Sequence, residues 1–308
     1  MNFKVYILGC GSALPSCAHL PSSQVVEVHS KLYMIDCGEG AQREFRRHRL
    51  NFNRLRAIFI SHLHGDHCFG LPGLLSSLGL LGRTGQLDVW GPRGLRAFLE
   101  PILQQFCHGM SYEVVLHEVD DRRHALIFED RSVRVSTLPL EHRTPTTGYL
   151  IEEQPAEPHI NKALADAYDI PLSAYPSLKR GEDFVAPSGR RIANELLVSP
   201  ARAARRYAYC SDTAYSERII PWIEGIDLLY HEATFSSEYA SRALATGHST
   251  AEQAARIALK ARVGRLVIGH YSARHPDPEP LLQEAQRLFP KTIAAEEGLC
   301  LEIEAQKR

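Results

Sequence analysis

The sequence predicts an α/β fold in which two β-sheets are sandwiched between layers of helices. Short apolar, strand-like runs alternate with helical segments over the first 150 residues, and the same alternation returns after residue 205. Such alternation is typical of sheets covered by helices. The intervening segment, residues 153–200, carries six prolines and few periodic apolar residues, which favours an inserted arm over a part of the core.

The first half of the chain reads as short strands and turns followed by strand–helix alternation. Strands are expected at 3–8, 24–28, 32–36, 57–60, 86–90, 113–118, 124–128, 132–138 and 147–152. Helices are expected at 40–48, 69–81 and 94–107. Pro72 falls in the first turn of the second helix, where proline is tolerated because that backbone position has no intrahelical partner.

The second half repeats the pattern after the arm. Strands are expected at 206–210, 226–230, 264–269 and near 298–303, and helices at 214–222, 250–262 and 278–288. Ser249 or Thr250 can cap the helix at 250–262. A short helix is expected near 160–168 within the arm, for which a long disordered loop is the alternative.

Length, charge and cysteine usage limit the protein class. A chain of 308 residues accommodates one large domain or two modest ones, and we expect a single domain over 1–308 with the arm at 153–200. The net charge of −1 provides no global attraction to nucleic acid or membrane. No apolar run reaches the roughly 20 residues that span a bilayer, and residues 1–9 read as a strand rather than a signal peptide.

The seven cysteines are scattered and form no Cys-x-x-Cys pair. This pattern fits a reducing cytoplasm without a disulfide framework. Cys10, Cys37 and Cys210 lie beside expected strands and are interpreted as small buried hydrophobic residues rather than metal ligands.

The most informative segment directly follows the expected strand at 57–60 and places three imidazoles and one carboxylate within six residues. It reads Ser61-His62-Leu63-His64-Gly65-Asp66-His67. Imidazole and carboxylate suit zinc, manganese or iron, and two ligand pairs this close in sequence can face two metal ions. The alternative, a polar loop rich in histidine, is costly beside a buried strand without a metal.

Three further candidate ligands close expected buried strands, namely His142, Asp212 and His270. Proteins of the α/β class commonly place their sites at the C-terminal ends of strands. Asp212 is the natural bridging ligand, because a carboxylate has two oxygens to share. Two divalent ions also lower the pKa of a shared water toward neutrality.

Two loops supply candidates for proton transfer and support. We predict that His248 is a general acid and that Glu232 holds its imidazole. Polarity near a helix N-terminus is the alternative for His248. Asp36 is expected to support the metal loop from behind, with a turn-forming aspartate as the alternative.

Together these residues resemble the metallo-β-lactamase superfamily, whose signature is His-x-His-x-Asp-His. The runs His231-Glu232-Ala233-Thr234 and His248-Ser249-Thr250 look like the paired loops of the ribonuclease Z family, the tRNA 3′-processing endonucleases. The similarity extends from about residue 3 to residue 303 and includes Leu8-Gly9-Cys10-Gly11-Ser12-Ala13.

The resemblance implies a four-layer αββα metallo-β-lactamase sandwich with two zinc ions per subunit, for which manganese is an alternative. It assigns His62, His64 and His142 to the first zinc. It assigns Asp66, His67 and His270 to the second, Asp212 to both, and a proton-accepting role to Asp66. The arm at 153–200 falls where the family inserts a flexible exosite that clamps tRNA, and family members are usually homodimers.

Two stretches depart from the family pattern. The arm reads Pro171–Gly181 without the family's Gly-Pro motif, and Pro15–Leu20 lacks the lysine and arginine of the PxKxRN pattern. Basic residues that could meet RNA phosphates are Lys179, Arg180, Arg190, Arg191, Arg202, Arg205 and Arg206, and a denser stretch of Arg43, Arg46, Arg47, Arg49, Arg54 and Arg56. A solvated helix face is the alternative for the denser stretch.

The sequence therefore predicts a zinc-dependent, cytoplasmic endoribonuclease that removes the 3′ trailer from precursor tRNA, leaving a tRNA 3′-hydroxyl and a trailer 5′-phosphate. A small-molecule phosphodiesterase or other hydrolase on the same fold is the alternative. A catalytically inactive RNA-binding or scaffold protein is a third hypothesis. The arm favours tRNA, because a small substrate does not need it.

Overall fold

The described part of the chain divides into two units. The computed structural model describes residues 2–14, 16–107 and 109–304. The larger unit comprises residues 2–153 and 205–304, and the smaller unit comprises residues 154–204. Pro15, the first residue of the stretch that departs from the PxKxRN pattern, lies outside the described residues.

The N-terminal part of the larger unit alternates strands and helices. Its strands are β1 (Phe3–Gly9), β2 (Ser23–Val28), β3 (Lys31–Cys37), β4 (Leu55–Phe59), β5 (Leu87–Pro92), β6 (Val114–Val119), β7 (Leu126–Glu129), β8 (Val133–Pro139) and β9 (Thr147–Glu153). Its helices are α1 (Ala41–Arg47), α2 (Gly65–Cys68), α3 (Leu71–Leu80) and α4 (Leu95–Phe106), with a 3-10 turn at Phe52–Arg54.

The smaller unit folds around a hydrophobic cluster of its own. Its elements are β10 (His159–Ile160), α5 (Lys162–Ala167), α6 (Tyr175–Lys179), β11 (Phe184–Val185), β12 (Arg191–Ile192), α7 (Asn194–Leu197) and β13 (Val198–Ser199), with a 3-10 turn at Leu172–Ala174. Strand β10 pairs with β13, and β11 pairs with β12, both antiparallel. The cluster is formed by Ala165, Ile170, Leu178, Ile192 and Leu197.

The C-terminal part returns to the larger unit. Its strands are β14 (Arg206–Cys210), β15 (Leu228–Glu232), β16 (Arg265–Gly269), β17 (Thr292–Ala294) and β18 (Cys300–Glu302). Its helices are α8 (Ile220–Ile223), α9 (Ala240–Thr246), α10 (Ala251–Lys260) and α11 (Glu279–Leu288), with 3-10 turns at Glu217–Ile219 and Ser237–Tyr239.

Within the described residues these strands form two seven-stranded mixed sheets. The first has the order β18-β1-β2-β3-β4-β5-β6, and the second has the order β17-β16-β15-β14-β9-β8-β7. Strands β3 to β6 are parallel, as are β14 to β17. The parallel runs bring several C-terminal strand ends to one edge of each sheet, where α/β proteins place their sites.

Helices cover the outer faces and apolar side chains fill the space between the sheets. Helices α1, α3 and α4 pack into a hydrophobic cluster on the first sheet, while α10 and α11 contribute to a cluster that contains residues of both sheets. Across the inner faces, the ring of Phe59 lies 5.3 Å from that of Tyr149 and 5.8 Å from that of Phe128. The predicted αββα sandwich is confirmed.

The structure differs from the prediction at several places. The predicted helix at 214–222 forms only from residue 217 onward, as the 3-10 turn at Glu217–Ile219 followed by α8. The backbone N–H groups of Thr213 and Ala214 instead donate to the Glu232 carboxylate and the Glu141 carbonyl, at 3.0 and 2.7 Å. Helix α9 and strand β17 were missed, because both are too short to show a period.

The capping and membrane predictions can also be compared with the structure. Thr250 caps α10 through a capping box with Gln253. No helix in the described residues is long and apolar enough to cross a membrane.

A buried side-chain hydrogen bond is among those that join the two sheets beside the segment that follows β4. The hydroxyl of Tyr149, on β9, donates to the Ile60 carbonyl at 2.7 Å, and both residues are fully buried. We predict that Tyr149→Phe lowers the free energy of unfolding by about 1–2 kcal/mol, because the carbonyl loses its buried partner. Denaturant titration of the apoprotein measures this. The control is Tyr215→Phe, which removes a hydroxyl that donates to Glu217 at the surface. This variant should change the free energy of unfolding by less than about 0.5 kcal/mol. Equal effects of the two substitutions would contradict the prediction.

Candidate metal centre

The loop after β4 carries the histidine-rich segment and is held rigidly at its start. The Ile60 N–H donates to the Trp90 carbonyl at 2.7 Å, and the Thr147 N–H donates to the Ser61 carbonyl at 3.0 Å. Helix α2 then begins at Gly65, so that Asp66 and His67 lie in its single turn. The segment is therefore fixed by neighbouring strands of both sheets.

Four side chains converge in a first cluster, and each offers a ligand atom within 4.8 Å of the others. They are His62, His64, His142 and Asp212. His62 Nε2 lies 2.9 Å from His64 Nδ1 and 3.5 Å from Asp212 Oδ2. The buried Nε2 of His142 has no hydrogen-bond partner among the described residues. A buried unpartnered imidazole nitrogen aimed at three other ligands fits a metal ion.

A second cluster adjoins the first and contains Asp66, His67 and His270. His67 Nε2 lies 3.3 Å from His270 Nε2 and 3.4 Å from Asp66 Oδ2. The segment after β4 and the end of β16 thus meet here, as the sequence predicted. The two clusters bring together all seven predicted metal ligands.

The carboxylate of Asp212 lies between the two clusters. Its Oδ2 faces His62 and His142, at 3.5 and 3.9 Å from their Nε2 atoms. Its Oδ1 faces His67 and His270, at 3.3 and 3.0 Å. One oxygen directed at each cluster is the geometry that a bridging ligand requires.

The buried carboxylate of Asp36 orients the loop from behind. Its Oδ2 accepts hydrogen bonds from His67 Nδ1, at 2.8 Å, and from the hydroxyls of Ser61 and Tyr209, at 2.8 and 2.7 Å. Its Oδ1 accepts the Ser61 N–H at 2.7 Å. Because His67 donates from Nδ1, its Nε2 is left facing Asp212, as metal-binding histidines are usually arranged.

Two other histidines are oriented in the same way. His142 Nδ1 lies 2.8 Å from the Gly247 carbonyl, and His270 Nδ1 lies 2.9 Å from the Thr234 hydroxyl. Gly247 ends α9 with φ of 75°, and a Cβ there would approach His142 Nδ1 to 2.9 Å. Only glycine satisfies both constraints without strain.

The backbone is strained at two residues of the site. Asp36 and His270 have φ of 56° and 63°, in the left-handed region that side chains other than glycine rarely adopt. Each costs on the order of 1 kcal/mol or more and persists because its surroundings hold it. Such strain is typical of functional sites.

Burial and neighbouring charge prepare the ligands to bind cations. Burial lowers the pKa of His62, His64 and His142, which favours the neutral form that binds metals. Burial alone would raise the pKa of Asp212, but the histidines around it, His270 foremost, lower that pKa well below its ordinary value. Asp212 is therefore ionised.

A histidine and a buried glutamate form a separate pair at the edge of the clusters. His248 Nδ1 lies 2.9 Å from Glu232 Oε1 and 4.0 Å from Asp212 Oδ2. Burial alone would lower the pKa of His248, but the Glu232 and Asp212 carboxylates raise it to about 9. The Glu232 carboxylate also accepts hydrogen bonds from Thr213 and Thr234, which fix its position. A pKa of about 9 keeps the His248 imidazole protonated at neutral pH.

An open pocket exposes the clusters to solvent and contains residues that the sequence did not single out. Ser12, Ala13, Arg143 and Thr246 line it together with His248 and five of the predicted ligands, namely His64, Asp66, His142, Asp212 and His270. The Ala13 N–H donates to Asp66 Oδ2 at 2.6 Å, and the Arg143 guanidinium donates to the Ala245 carbonyl. Arg143 could have been predicted as a pocket residue from the sequence, because it directly follows the candidate ligand His142.

The predicted basic patches differ in availability. All six arginines of the stretch from Arg43 to Arg56 are exposed, although Arg43 and Arg47 contact Glu44. In the smaller unit, Lys179, Arg180 and Arg191 each pair with an acidic side chain. The prediction that Arg205 meets RNA phosphates is wrong. Its side chain is 11% exposed and forms an ion pair with Glu153, so it stabilises the fold.

The hydrogen bond between Asp36 and His67 leads to a prediction about metal affinity. Asp36→Asn should weaken metal binding by about 10–100-fold, because an amide orients the His67 imidazole less strongly. Competition with a chromophoric chelator measures the affinity, and circular dichroism checks the fold. The matched control is Asp88→Asn, which removes a carboxylate from His117 away from the clusters. An unchanged affinity for Asp36→Asn would contradict the supporting role.

Comparisons with known proteins identify the family. A family model described as "Beta-lactamase superfamily domain" matches residues 189–271, and one described as "Anti-Pycsar protein Apyc1" matches residues 3–87. The chain is 58% identical to ribonuclease Z of Porphyromonas gingivalis and 55% identical to that of Parabacteroides distasonis, each over 98% of this chain and 99% of the relative.

Among solved structures, the chain is similar to the short form of human tRNase Z. The TM-score is 0.71 and the identity is 25%, over 98% of this chain and 99% of the other. Together with the site geometry, these matches show that the chain belongs to the ribonuclease Z family of endoribonucleases, on the metallo-β-lactamase fold.

Proposed function

We propose that the protein is a zinc-dependent endonuclease that removes the 3′ trailer from precursor tRNA, leaving a tRNA 3′-hydroxyl and a trailer 5′-phosphate. The single observation that carries the proposal is the Asp212 carboxylate, which presents one oxygen to each of two imidazole clusters. Support for tRNA as the substrate comes from family membership and from the name of the related human structure.

The donor set supports zinc as the metal. Neutral imidazoles and carboxylates at 2.9–3.9 Å from one another suit zinc, and manganese accepts the same donors. His62, His64 and His142 would hold one ion, Asp66, His67 and His270 the other, and Asp212 both. When bound there, two such ions supply an activated water and neutralise charge on the phosphate.

Asp66 is assigned to accept a proton from the attacking water. The Ala13 amide and the Nε2 atoms of His67 and His270 all approach its Oδ2, at 2.6, 3.4 and 3.6 Å. We therefore assign Oδ1 as the oxygen that accepts the proton. Neighbouring imidazoles, above all His67, outweigh burial and lower the pKa of Asp66, so that it starts as a base.

His248 is assigned to protonate the departing 3′ oxygen. Glu232 fixes the imidazole through Nδ1, which leaves Nε2 to donate toward the pocket that His248 lines. The scissile phosphate would then lie between Asp66 and His248, as an in-line displacement requires. Arg143, which lines the same pocket, provides a fixed positive charge for the RNA backbone.

The smaller unit is assigned to tRNA binding, as the inserted arm of the family. Its exposed Arg190 and Arg202 add positive charge to a unit in which Lys179, Arg180 and Arg191 are paired with carboxylates. A homodimer and a cytoplasmic location remain predictions from the resemblance and from the cysteine pattern.

The role of His248 is tested by comparing two leaving groups. We expect His248→Ala to slow cleavage of a 3′-extended precursor tRNA by about 10²–10⁴-fold, because the departing ribose oxygen needs a proton. Hydrolysis of bis(p-nitrophenyl) phosphate, whose leaving group is a stable anion, should fall by less than about tenfold. End mapping of the tRNA products identifies the cleaved bond.

The control is His117→Ala, which alters a histidine on β6 that pairs with Asp88. It should leave both activities close to wild type. If His248→Ala lost activity equally on both substrates, the general-acid role would be contradicted. If fully metallated wild type hydrolyses bis(p-nitrophenyl) phosphate but cleaves no tRNA, the small-molecule phosphodiesterase is the better hypothesis.

The Glu232–His248 pair also predicts a pH dependence. The raised pKa of about 9 keeps His248 protonated below that pH, so tRNA cleavage should fall as the pH rises through it. Glu232→Gln removes the charge that raises the pKa, so the fall should move toward the ordinary histidine value of about 6.5. Single-turnover cleavage rates between about pH 6 and about pH 10 measure the pH at which the rate falls. An unchanged alkaline limit in Glu232→Gln would contradict the prediction.

The smaller unit can be removed without breaking the sheet. Strands β9 and β14 are antiparallel neighbours, and the Glu153 N–H donates to the Arg205 carbonyl at 2.9 Å. A short Gly-Ser turn can therefore replace residues 154–204. We expect KM for precursor tRNA to rise at least about tenfold through lost phosphate contacts, while bis(p-nitrophenyl) phosphate is still hydrolysed. Unchanged tRNA cleavage by the shortened protein would remove the unit from the proposed mechanism.

A further inference from the structure

A third group of metal-ligating side chains lies apart from the catalytic clusters. It consists of Cys10, His19 and Glu297. Cys10 directly follows β1, His19 lies in the connection from β1 to β2, and Glu297 lies between β17 and β18. The connection from β1 to β2 and the connection from β17 to β18 thus direct a thiol, an imidazole and a carboxylate to one point. Cys10 was interpreted from the sequence as a buried hydrophobic residue; it is fully buried and belongs to the hydrophobic core, and its thiol also lies beside His19 and Glu297.

The two distances from the Cys10 sulfur match those of a tetrahedral zinc site, while His19 lies closer to the other oxygen of Glu297, at hydrogen-bond distance. Cys10 Sγ lies 3.5 Å from both His19 Nδ1 and Glu297 Oε1, and His19 Nδ1 lies 3.1 Å from Glu297 Oε2. Tetrahedral bonds of 2.3 Å to sulfur and about 2.0–2.2 Å to nitrogen or oxygen place the ligand atoms about 3.3–3.6 Å apart. The ligand atoms of the catalytic clusters have similar spacings.

Two glycines make this convergence possible. A Cβ on Gly9 would lie 1.9 Å from the Pro21 carbonyl oxygen, and a Cβ on Gly11 would lie 2.9 Å from His19 Cβ. Glycine on both sides of Cys10 therefore lets the returning chain lie directly against β1. The close approach brings His19 beside a cysteine that is fully buried.

We propose that Cys10, His19 and Glu297 bind a third metal ion, zinc or another borderline divalent cation, in a structural site. Thiolate, imidazole and carboxylate together are a zinc-type donor set. Three protein ligands leave one tetrahedral position for a water or an anion. The site is additional to the two metals of the proposed function and contains none of their ligands.

The site fixes the connection that leads to the catalytic pocket. The Tyr271 N–H, next to His270, donates to the Cys10 carbonyl at 3.0 Å. The Ala13 N–H in the same connection donates to Asp66. A metal that immobilises Cys10 and His19 therefore holds this connection against two catalytic segments, and its role is positional rather than chemical.

The competing explanation is a hydrogen-bonded cluster without a metal. In that case the Cys10 thiol donates to the Ala295 carbonyl at 3.4 Å and His19 donates to Glu297. Glu297 would still accept the Leu20 N–H at 2.8 Å and clamp the loop. The two explanations differ in whether the sulfur is bonded to a cation.

Cobalt substitution separates these explanations, because the catalytic clusters contain no cysteine. The full-length protein is reconstituted with Co²⁺ alone, and its spectrum and cobalt content are measured. We expect an intense near-ultraviolet charge-transfer band from thiolate to cobalt. We also expect one more ion per chain in the wild type than in Cys10→Ser, which should lack the band.

Two further variants keep the test decisive. His19→Ala alters a loop residue and should also lose one ion and weaken or remove the band, even if Cys10→Ser fails to fold. Cys300→Ser removes an exposed thiol elsewhere and should retain both. Absence of the band from cobalt-loaded wild type, or its loss only in Cys300→Ser, would overturn the third site and leave the hydrogen-bonded clamp.

Discussion

The carboxylate of Asp212 is the group on which the arrangement of the site depends. It is 2% exposed, and a charge so deeply buried is costly unless partners surround it. Its partners come from both sheets: His62 and His67 follow β4, while His270 follows β16. The sandwich architecture therefore serves to bring two strand edges within reach of one carboxylate.

The supporting residues explain why these ligands point inward. A histidine can present either ring nitrogen, and the choice is set by what the other nitrogen binds. Here Asp36, Gly247 and Thr234 each engage the Nδ1 of one histidine. The left-handed backbone of Asp36 and His270 is held by the same contacts. Precision at the centre therefore comes from groups that lie behind the candidate ligands.

Much of this could be predicted from the sequence, for identifiable reasons. His62, His64, Asp66 and His67 are close in sequence after a strongly apolar strand, so their density alone indicated a metal site. The distant ligands were recognisable because each closes a strand. Arg143 and the Ala13 amide were missed, since nothing local distinguishes an ordinary arginine or a backbone N–H that acts through its position. The predicted helix at 214–222 begins only at Glu217, and residues 213 and 214 are instead held by Glu232 and Glu141, which are distant in sequence.

The seven cysteines of the chain are free thiols in the described structure, so no covalent cross-link joins the two sheets. The candidate ligands span from His62 to His270, and an ion bound by both sheets would close a loop of most of the chain. Closing so long a loop restricts the unfolded ensemble in the way that a disulfide does. Any ligand that binds only the folded state also stabilises it by mass action. The cellular supply of metal would thus set the lifetime of the fold as well as its activity.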